Sequence, residues 1–238
     1  MATAFEIAGP IAMFRRPYTT TSSVSYPMPP PTAIAGILAG IVGLSNGSEK
    51  EADAADYWEG LAGTRVALSI LNPIKWYTGT VNFCNIKDPR KNSHIRVKHQ
   101  FVKNPKYRIY VHGGLEKELR RHLENETFIY TPCLGTAYAL AQVKYLGDFP
   151  YQPITKDSVY LSSVLPMLPE YNININIAAS ESLFKVNLPF RLTCQRALCE
   201  SITILYTSST EERICLTSWQ GLDVTPYKDQ CIAWFPAW

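Results

Sequence analysis

The sequence predicts an α+β protein: a ferredoxin-like (RRM-like) βαββαβ domain with a protruding basic β-hairpin, followed by a β-rich C-terminal region. Three observations carry this reading. Short runs of alternating hydrophobicity are interrupted by two segments of helical period in the first 150 residues, in the order strand, helix, strand, strand, helix, strand. A lysine- and arginine-rich tract separates the second and third of these strands. Beyond Pro153 only strand-like patterns follow. The corresponding organisation is a domain over 1–152, with the basic hairpin at about 79–105, and a β-rich region over 153–238.

Phe5–Phe14 (FEIAGPIAMF) has apolar residues at near-alternate positions and leads into FRRP, a first strand with Arg15 and Arg16 at its exit. A polar loop (TTTSSVS) and the prolines of YPMPPPT follow. Thr32 is the expected N-cap of a helix in which Ile34, Ile37, Leu38, Ile41 and Val42 recur at helical spacing. Its apolar run is too short for the ~20 residues of a membrane crossing. Ala35, Gly36, Ala39 and Gly40 are expected to form a stripe of small residues that admits a neighbouring backbone. Thr64–Leu71 reads as the second strand. Lys106–His112 reads as the third, with Tyr107, Ile109 and Val111 toward a core and Lys106, Arg108, Tyr110 and His112 on a basic, aromatic face. In LEKELRRHLENE the leucines at 115, 119 and 123 mark the second helix. Ala137–Phe149 returns as the fourth strand. Downstream, SVYLSSVL, YNININIAA, LFKVNLPF, SITILY and RICLTSW alternate as strands, and WFPAW ends the chain with Trp234 and Trp238 expected to pack on them.

Charge points to a partner. Residues 86–113 hold eight Lys or Arg against one acid, Asp88, a local +7 in a chain whose total is +3, so the rest carries −4. A concentrated basic patch on an acidic body suits a polyanion. Aromatic and imidazole rings are interleaved with the cations: Lys75, Trp76, Tyr77, Arg90, Lys91, His94, Arg96, Lys98, His99, Lys103 and Arg108 are the candidate contacts. Cations hold phosphates, and flat side chains stack on unpaired bases. A solvated lysine-rich protrusion is the plain alternative.

Motifs exclude more chemistry than they assert. No G-x-S-x-G, P-loop, H-E-x-x-H or G-x-G-x-x-G is present, and no close group of acids suggests a two-metal nuclease. The six cysteines form no C-x-x-C pair, so neither a metal nor another cofactor is expected. Unpaired thiols and the lack of a secretory signal suggest the cytoplasm. Metal-independent RNA cleavage by Tyr26, His94, Lys98, His99 and His112 is the enzymatic alternative, and a scaffold without RNA contact is the third reading.

Two stretches, FEIAGPIAMFRRPYTTTSSVSYPMPPPTAIAGILAGIVG and YTPCLGTAYALA, together resemble the fifth family of CRISPR-associated proteins. RKNSHIRVKHQFVKNPKYRIYVHG, with the Leu134–Gly135 turn, is most similar to its subtype I-B members. The resemblance implies a non-catalytic subunit of a type I effector (Cascade) complex in antiviral defence, one that grips the repeat-derived 5′ handle of the CRISPR RNA. It implies as partners the backbone subunit of the Cas-seven family, the large subunit of the Cas-eight family and target DNA near its recognition motif, with no membrane. It also implies that Arg15, Arg16, Tyr18, Tyr26 and the loop hydroxyls line the handle. The basic hairpin would be a thumb, with Arg90, Lys91, Arg96 and Lys98 between backbone subunit and RNA. In subtype I-C the family member is itself the processing ribonuclease; in I-B a separate endonuclease cuts.

Overall fold

The computed structural model describes every residue except 20–21, 48–54, 56, 87–89, 91–92, 155, 157, 181 and 209–212. In chain order the elements are β1 (Ala2–Ala8), β2 (Ile11–Ala12), β3 (Phe14–Arg15), β4 (Ser25–Tyr26), α1 (Pro31–Val42), α2 (Tyr57–Gly60), β5 (Arg65–Ile70), β6 (Trp76–Cys84), β7 (His94–Lys103), β8 (Lys106–His112), α3 (Glu116–Glu124) and β9 (Gln142–Phe149). Then come β10 (Val159–Leu161), β11 (Leu165–Met167), β12 (Asn172–Ile175), a 3-10 turn at Ile177–Ala179, β13 (Leu183–Leu192), β14 (Leu198–Thr207), β15 (Ile214–Gln220), β16 (Val224–Tyr227) and β17 (Gln230–Ala233). The fold is mixed α+β, mostly strand. Among the described residues no helix is long and apolar enough to cross a membrane.

The central sheet runs β5-β8-β1-β9, every neighbour antiparallel. Strand β1 is buried on both faces, and its alternation explains how. Phe5 and Ile7 enter the main core with Tyr107, Ile109 and Val111 of β8 and the leucines of α3. On that face the Thr3 hydroxyl also meets the Glu116 carboxylate of α3 at 2.9 Å. On the opposite face Ala2, Ala4 and Ala67 are small, and the rings of Tyr110, Phe149, Tyr227 and Trp234 fill the space above them. The second face of β8, expected to be an open basic and aromatic surface, is therefore a second core. The C-terminal strands cover it, and Trp234, inserted there, donates its indole N–H to Thr225 at 2.8 Å. The chain end also runs along β5, with Phe235 and Trp238 donating N–H to the carbonyls of Val66 and Thr64.

Helix α1 is buried on most of its surface, between α3 and strand β13. It starts earlier than Thr32: Pro31 occupies the first turn after an extended Pro30, and no side chain caps it. Proline is suited to that position because its φ is already helical and its missing N–H would have had no intrahelical acceptor. Gly43, at φ +86°, ends the helix and donates to the Ala39 carbonyl at 2.8 Å. The small residues divide differently from the expected stripe. Ala35 and Ala39 are buried, whereas Gly36 faces open space and Gly40 meets only the Tyr130 Cβ at 3.9 Å. Both glycines line a groove of about 860 Å³ that also holds Tyr57, Tyr130, Cys133 and Arg196.

Two further expectations move. Phe5–Phe14 is not one strand: β1 stops at Ala8, and after Gly9–Pro10 the chain joins a different sheet, β2-β7-β6. Pro10 lacks the N–H that would continue the ladder. The fourth strand begins at Gln142, because Leu134–Ala141 is held as a turn by hydrogen bonds from Leu134 to Ala139 and from Ala141 to Pro132. The C-terminal strands form a five-stranded sheet, β12-β15-β10-β17-β16, and a three-stranded one, β11-β14-β13. Leu188, Phe190, Ile202 and Ile204 from the latter, with Phe235 and Trp238, enter the same core as Phe5 and Ile34.

Candidate nucleic-acid interface

The loop between β3 and β4 and the basic tract meet at one place. Strands β3 and β4 pair Phe14 with Tyr26 and Arg15 with Ser25, closing the polar loop between them. Ser23, at the end of that loop, lies against β7: its N–H donates to the Lys98 carbonyl at 2.9 Å and its carbonyl accepts from Gln100 at 2.8 Å. The loop that follows the two arginines is thereby tied to the strand that carries Lys98 and His99. The hydroxyls of Ser23 and Ser25 are buried. Ser25 Oγ accepts from the Phe14 N–H and donates to the Tyr26 carbonyl, so it builds the loop.

Arg15 is exposed and donates to the Thr19 carbonyl at 2.9 Å. Arg16 reaches the Ser25 carbonyl with Nε and the Tyr18 hydroxyl with Nη1, while its guanidinium lies over the Tyr26 ring, 5.1 Å from the centroid. The Tyr26 ring itself is buried in the core. Burial pushes its hydroxyl pKa up, the nearby Tyr18 adds to this, and the Arg16 charge opposes it. Tyr18 is 68% exposed. With no other described residue does Arg15 or Arg16 form an ion pair, so both charges remain available to an anion.

The basic tract is an antiparallel ribbon with a continuous register from Trp76↔Val102 to Cys84↔His94. It begins at Trp76, a few residues ahead of the expected position. Because side chains alternate, the register separates it into two faces. One carries Thr78, Thr80, Asn82, His94, Arg96, Lys98 and Gln100, polar and cationic along its middle, with Trp76 and Val102 at the base and Cys84 at the outer end. The other carries Tyr77, Val81, Phe83, Ile95, Val97, His99 and Phe101. On it the rings form a ladder: Tyr77 stacks on Phe101 (6.2 Å), Phe101 on His99 (5.8 Å), and Phe83 tilts over His99 (5.6 Å). Tyr138 meets Phe101 edge-on from the Gly135 turn. His99 is 4% exposed, and its Nδ1 lies 3.1 Å from the Val97 carbonyl, so the fold draws it into the ribbon's base.

The remaining candidates are distributed as follows. Lys75 and Trp76 are exposed at the base of the ribbon, where the Lys75 carbonyl accepts from Lys103, itself exposed. Arg90 is exposed near the tip, and Lys91 lies outside the described residues. Arg108 is turned away from the ribbon, on the second face of the central sheet. There it pairs with Glu6 at 2.8 Å and lies over the Tyr227 ring. His112 lies at the far end of β8, stacked on Tyr151 at 3.7 Å, with Nδ1 2.7 Å from the Met1 carbonyl. The five side chains of the cleavage alternative are thus not gathered: Tyr26 is in the main core, His99 in the ribbon's base and His112 on the opposite layer. Among the described residues no group of three or more His, Cys, Asp or Glu is placed to hold a metal.

Sequence reasoning missed Ser23 as the link between loop and ribbon, and it missed Phe83 and Tyr138 as neighbours of the ring ladder. Counting by twos from Tyr77 reaches Phe83, so the alternation held that signal; the contact of Tyr138 is tertiary and left none.

Several solved structures share this fold, that of CRISPR-associated proteins. One is a chain of a CRISPR RNA-guided surveillance complex, 13% identical, with 96% of this chain and 95% of that one covered at a TM-score of 0.53. A CRISPR protein from Archaeoglobus fulgidus is 12% identical, with 98% and 99% covered at 0.54. A chain of the Type III-B Cmr-beta complex bound to cognate target RNA and AMPPnP is 14% identical, with 90% and 86% covered at 0.50. No curated protein sequence matches the chain significantly. The family model described as CRISPR-associated protein (Cas_Cas5) matches residues 3–148, and the chain belongs to that family.

Proposed function

We propose that this chain is the subunit of a type I CRISPR effector (Cascade) complex, of subtype I-B, that holds the repeat-derived 5′ handle of the CRISPR RNA without cutting it. It bridges the large subunit to the backbone subunits. In this reading β1, α1, β5, β8, α3 and β9 form a ferredoxin-like unit, and β6–β7 is its thumb. The strand order β5-β8-β1-β9, antiparallel throughout, supports that assignment.

The observation that carries the proposal is the docking of the arginine loop on the ribbon through Ser23. It places two cation sets that are far apart in sequence, Arg15 with Arg16 and Arg96 with Lys98, on adjoining parts of the molecule, and none of them is paired with a described carboxylate. Unpaired cations with the exposed rings of Tyr18 and Trp76 nearby in the fold suit a single-stranded phosphate backbone with unstacked bases. The burial of Tyr26 and His99 and the place of His112 at the far end of β8, stacked on Tyr151, favour holding over cleavage.

The test is to incubate the purified protein with labelled repeat RNA in EDTA and look for both a shift and a cut. A shift without a cut, weakened and made less salt-dependent by Arg15→Ala with Arg16→Ala, supports the proposal. Metal-independent cleavage would replace it with a ribonuclease, and unchanged affinity and salt slope in the double variant would remove the arginines from the site.

A further inference from the structure

Strand β6 is the free edge of the sheet β2-β7-β6, and it differs from every other sheet edge among the described residues. A bare row of N–H and C=O groups invites another strand, so edges are ordinarily blunted by lysine, proline, a bulge, shortness or a covering segment. Here β9 carries Lys144 and a break in register where it passes Ala4 and Phe5. Strand β13 has Lys185, Pro189 and two register shifts, and β16 has Pro226. The chain end covers β5, and β2, β3, β4, β11 and β12 have four residues or fewer. Strand β6 runs for nine residues, WYTGTVNFC, with no charge, no proline and no break in register. The ladder shows which of its groups face outward. At its two ends Lys103 donates to the Lys75 carbonyl at 2.7 Å and Asn85 to the Ser93 carbonyl at 3.0 Å, so the odd-numbered residues bond to β7. The N–H and C=O groups of Trp76, Thr78, Thr80, Asn82 and Cys84 therefore point away from β7.

We propose that β6 is a self-pairing edge: two copies of this chain join their β6 strands antiparallel about a two-fold axis at Thr80, making one sheet in the order β7-β6-β6-β7. The strand supplies its own complement, as such a symmetric interface requires. With Thr80 opposite Thr80, Thr78 meets Asn82 of the other copy and Trp76 meets its Cys84, so the outward-facing residues pair with one another along the whole strand. Between them Tyr77 falls opposite Phe83 and Gly79 opposite Val81, at the positions without hydrogen bonds, where facing side chains stand closest. Tyr77 and Phe83 are 53% and 41% exposed, so the pairing brings rings together that are otherwise in water. Charge does not oppose it, because β6 carries none and the cation-bearing β7 backbones end three strand spacings apart, about 14 Å, against a screening length of ~8 Å at physiological salt. The ribbon also gains strands where it lacks them: β2 and Ser23 support β7 only from His99 toward the base, and two strands alone are marginal in water. The pairing uses the edge and leaves the cationic face open, so it does not rest on RNA holding.

The test measures the mass of the full chain by sedimentation equilibrium over a concentration series. The wild type should reach the mass of a dimer. Thr80→Lys and Thr80→Glu, which set like charges against each other across the axis, should each lose the dimer with the melting temperature unchanged, and mixing the two variants should restore it. Thr80→Cys, in a background of Cys84→Ser and Cys199→Ser that removes the exposed native thiols, should cross-link to itself on mild oxidation, whereas Thr78→Cys should not. A wild type that stays monomeric up to its solubility limit refutes self-pairing and leaves the edge to a strand of another protein. A dimer that survives Thr80→Lys, or variants that stay monomeric when mixed, refute it equally. Cross-linking through Thr78→Cys as readily as through Thr80→Cys overturns the register.

Discussion

Gly135→Ala should damage the fold and the interface together. Gly135 has φ +92°, well to the left-handed side, and a Cβ built on it would lie 2.2 Å from the Met13 carbonyl oxygen and 2.9 Å from Phe14 Cδ1. An L-residue at such a φ costs about 1–3 kcal/mol before any contact is counted. The clash is with backbone, so no side chain can swing aside, and separation to ordinary contact requires either Met13 or the turn to move by roughly an ångström. Met13 is not free to move alone, because its N–H donates to the Leu134 carbonyl at 3.0 Å, within the same turn. The expected loss is about 2–4 kcal/mol, read from the urea midpoint and slope. Arg15 is two residues beyond Met13, so RNA affinity should fall in the protein that remains folded. A stability within about 0.5 kcal/mol of the wild type would refute the argument that the turn is built against Met13 and the start of β3.

Gly36→Ala is the opposite case. The position is helical with open space beyond it, so the substitution should stabilise by about 0.5–1 kcal/mol in the same urea assay; destabilisation would mean that something already occupies that face. At Glu6, burial raises the carboxyl pKa, but the hydrogen bonds and charges of Lys106 and Arg108 outweigh it and hold the group below the ordinary carboxylate range. A depressed folded pKa stabilises the fold at pH above the unfolded value, and the contribution disappears as pH falls through the folded one. Glu6→Gln should therefore cost about 1–3 kcal/mol at pH 7, with the two proteins converging below about pH 4; a constant difference across that range would be evidence against the ion pairs. Arg96→Gln with Lys98→Gln, at exposed positions, should change stability by less than about 0.5 kcal/mol while lowering the slope of log affinity against log salt by about 1.4. An unaltered slope would take the ribbon off the phosphate path.

Where local pattern decides structure, the sequence was readable. The leucines of α3 and the alternation of Lys106–His112 follow from period alone, whereas the basic ribbon was marked by its charge and by a length too great for a simple connection. What period does not carry is the second layer. A strand with one face of alanines and one of Phe and Ile looks half-exposed until rings from the other end of the chain are brought onto the alanines. For the same reason Arg108, which in sequence belongs to the basic tract, is instead a partner of Glu6 under the C-terminal strands. The cap of α1 was misplaced because the capping position falls on Pro30, whose side chain has no acceptor, and Pro31, with its φ already helical, starts the helix one residue before Thr32.

The polar loop shows why residue type alone overstates a binding site. A serine- and threonine-rich loop next to two arginines invites the reading that its hydroxyls touch RNA. Ser23 and Ser25 are buried, and the Ser25 hydroxyl holds the Phe14 and Tyr26 backbone together. Ser23 extends the β7 edge by two backbone hydrogen bonds, which any residue could make, but a side chain at 4% exposure must be small to lie there. A two-stranded ribbon is marginal by itself in water. The loop and β2 together give β7 a partner on its second edge near the base, stiffening the ribbon from which Lys98 projects. Ser23 and Ser25 thus act by fixing where the cations stand, Ser23 through its backbone and Ser25 through its hydroxyl.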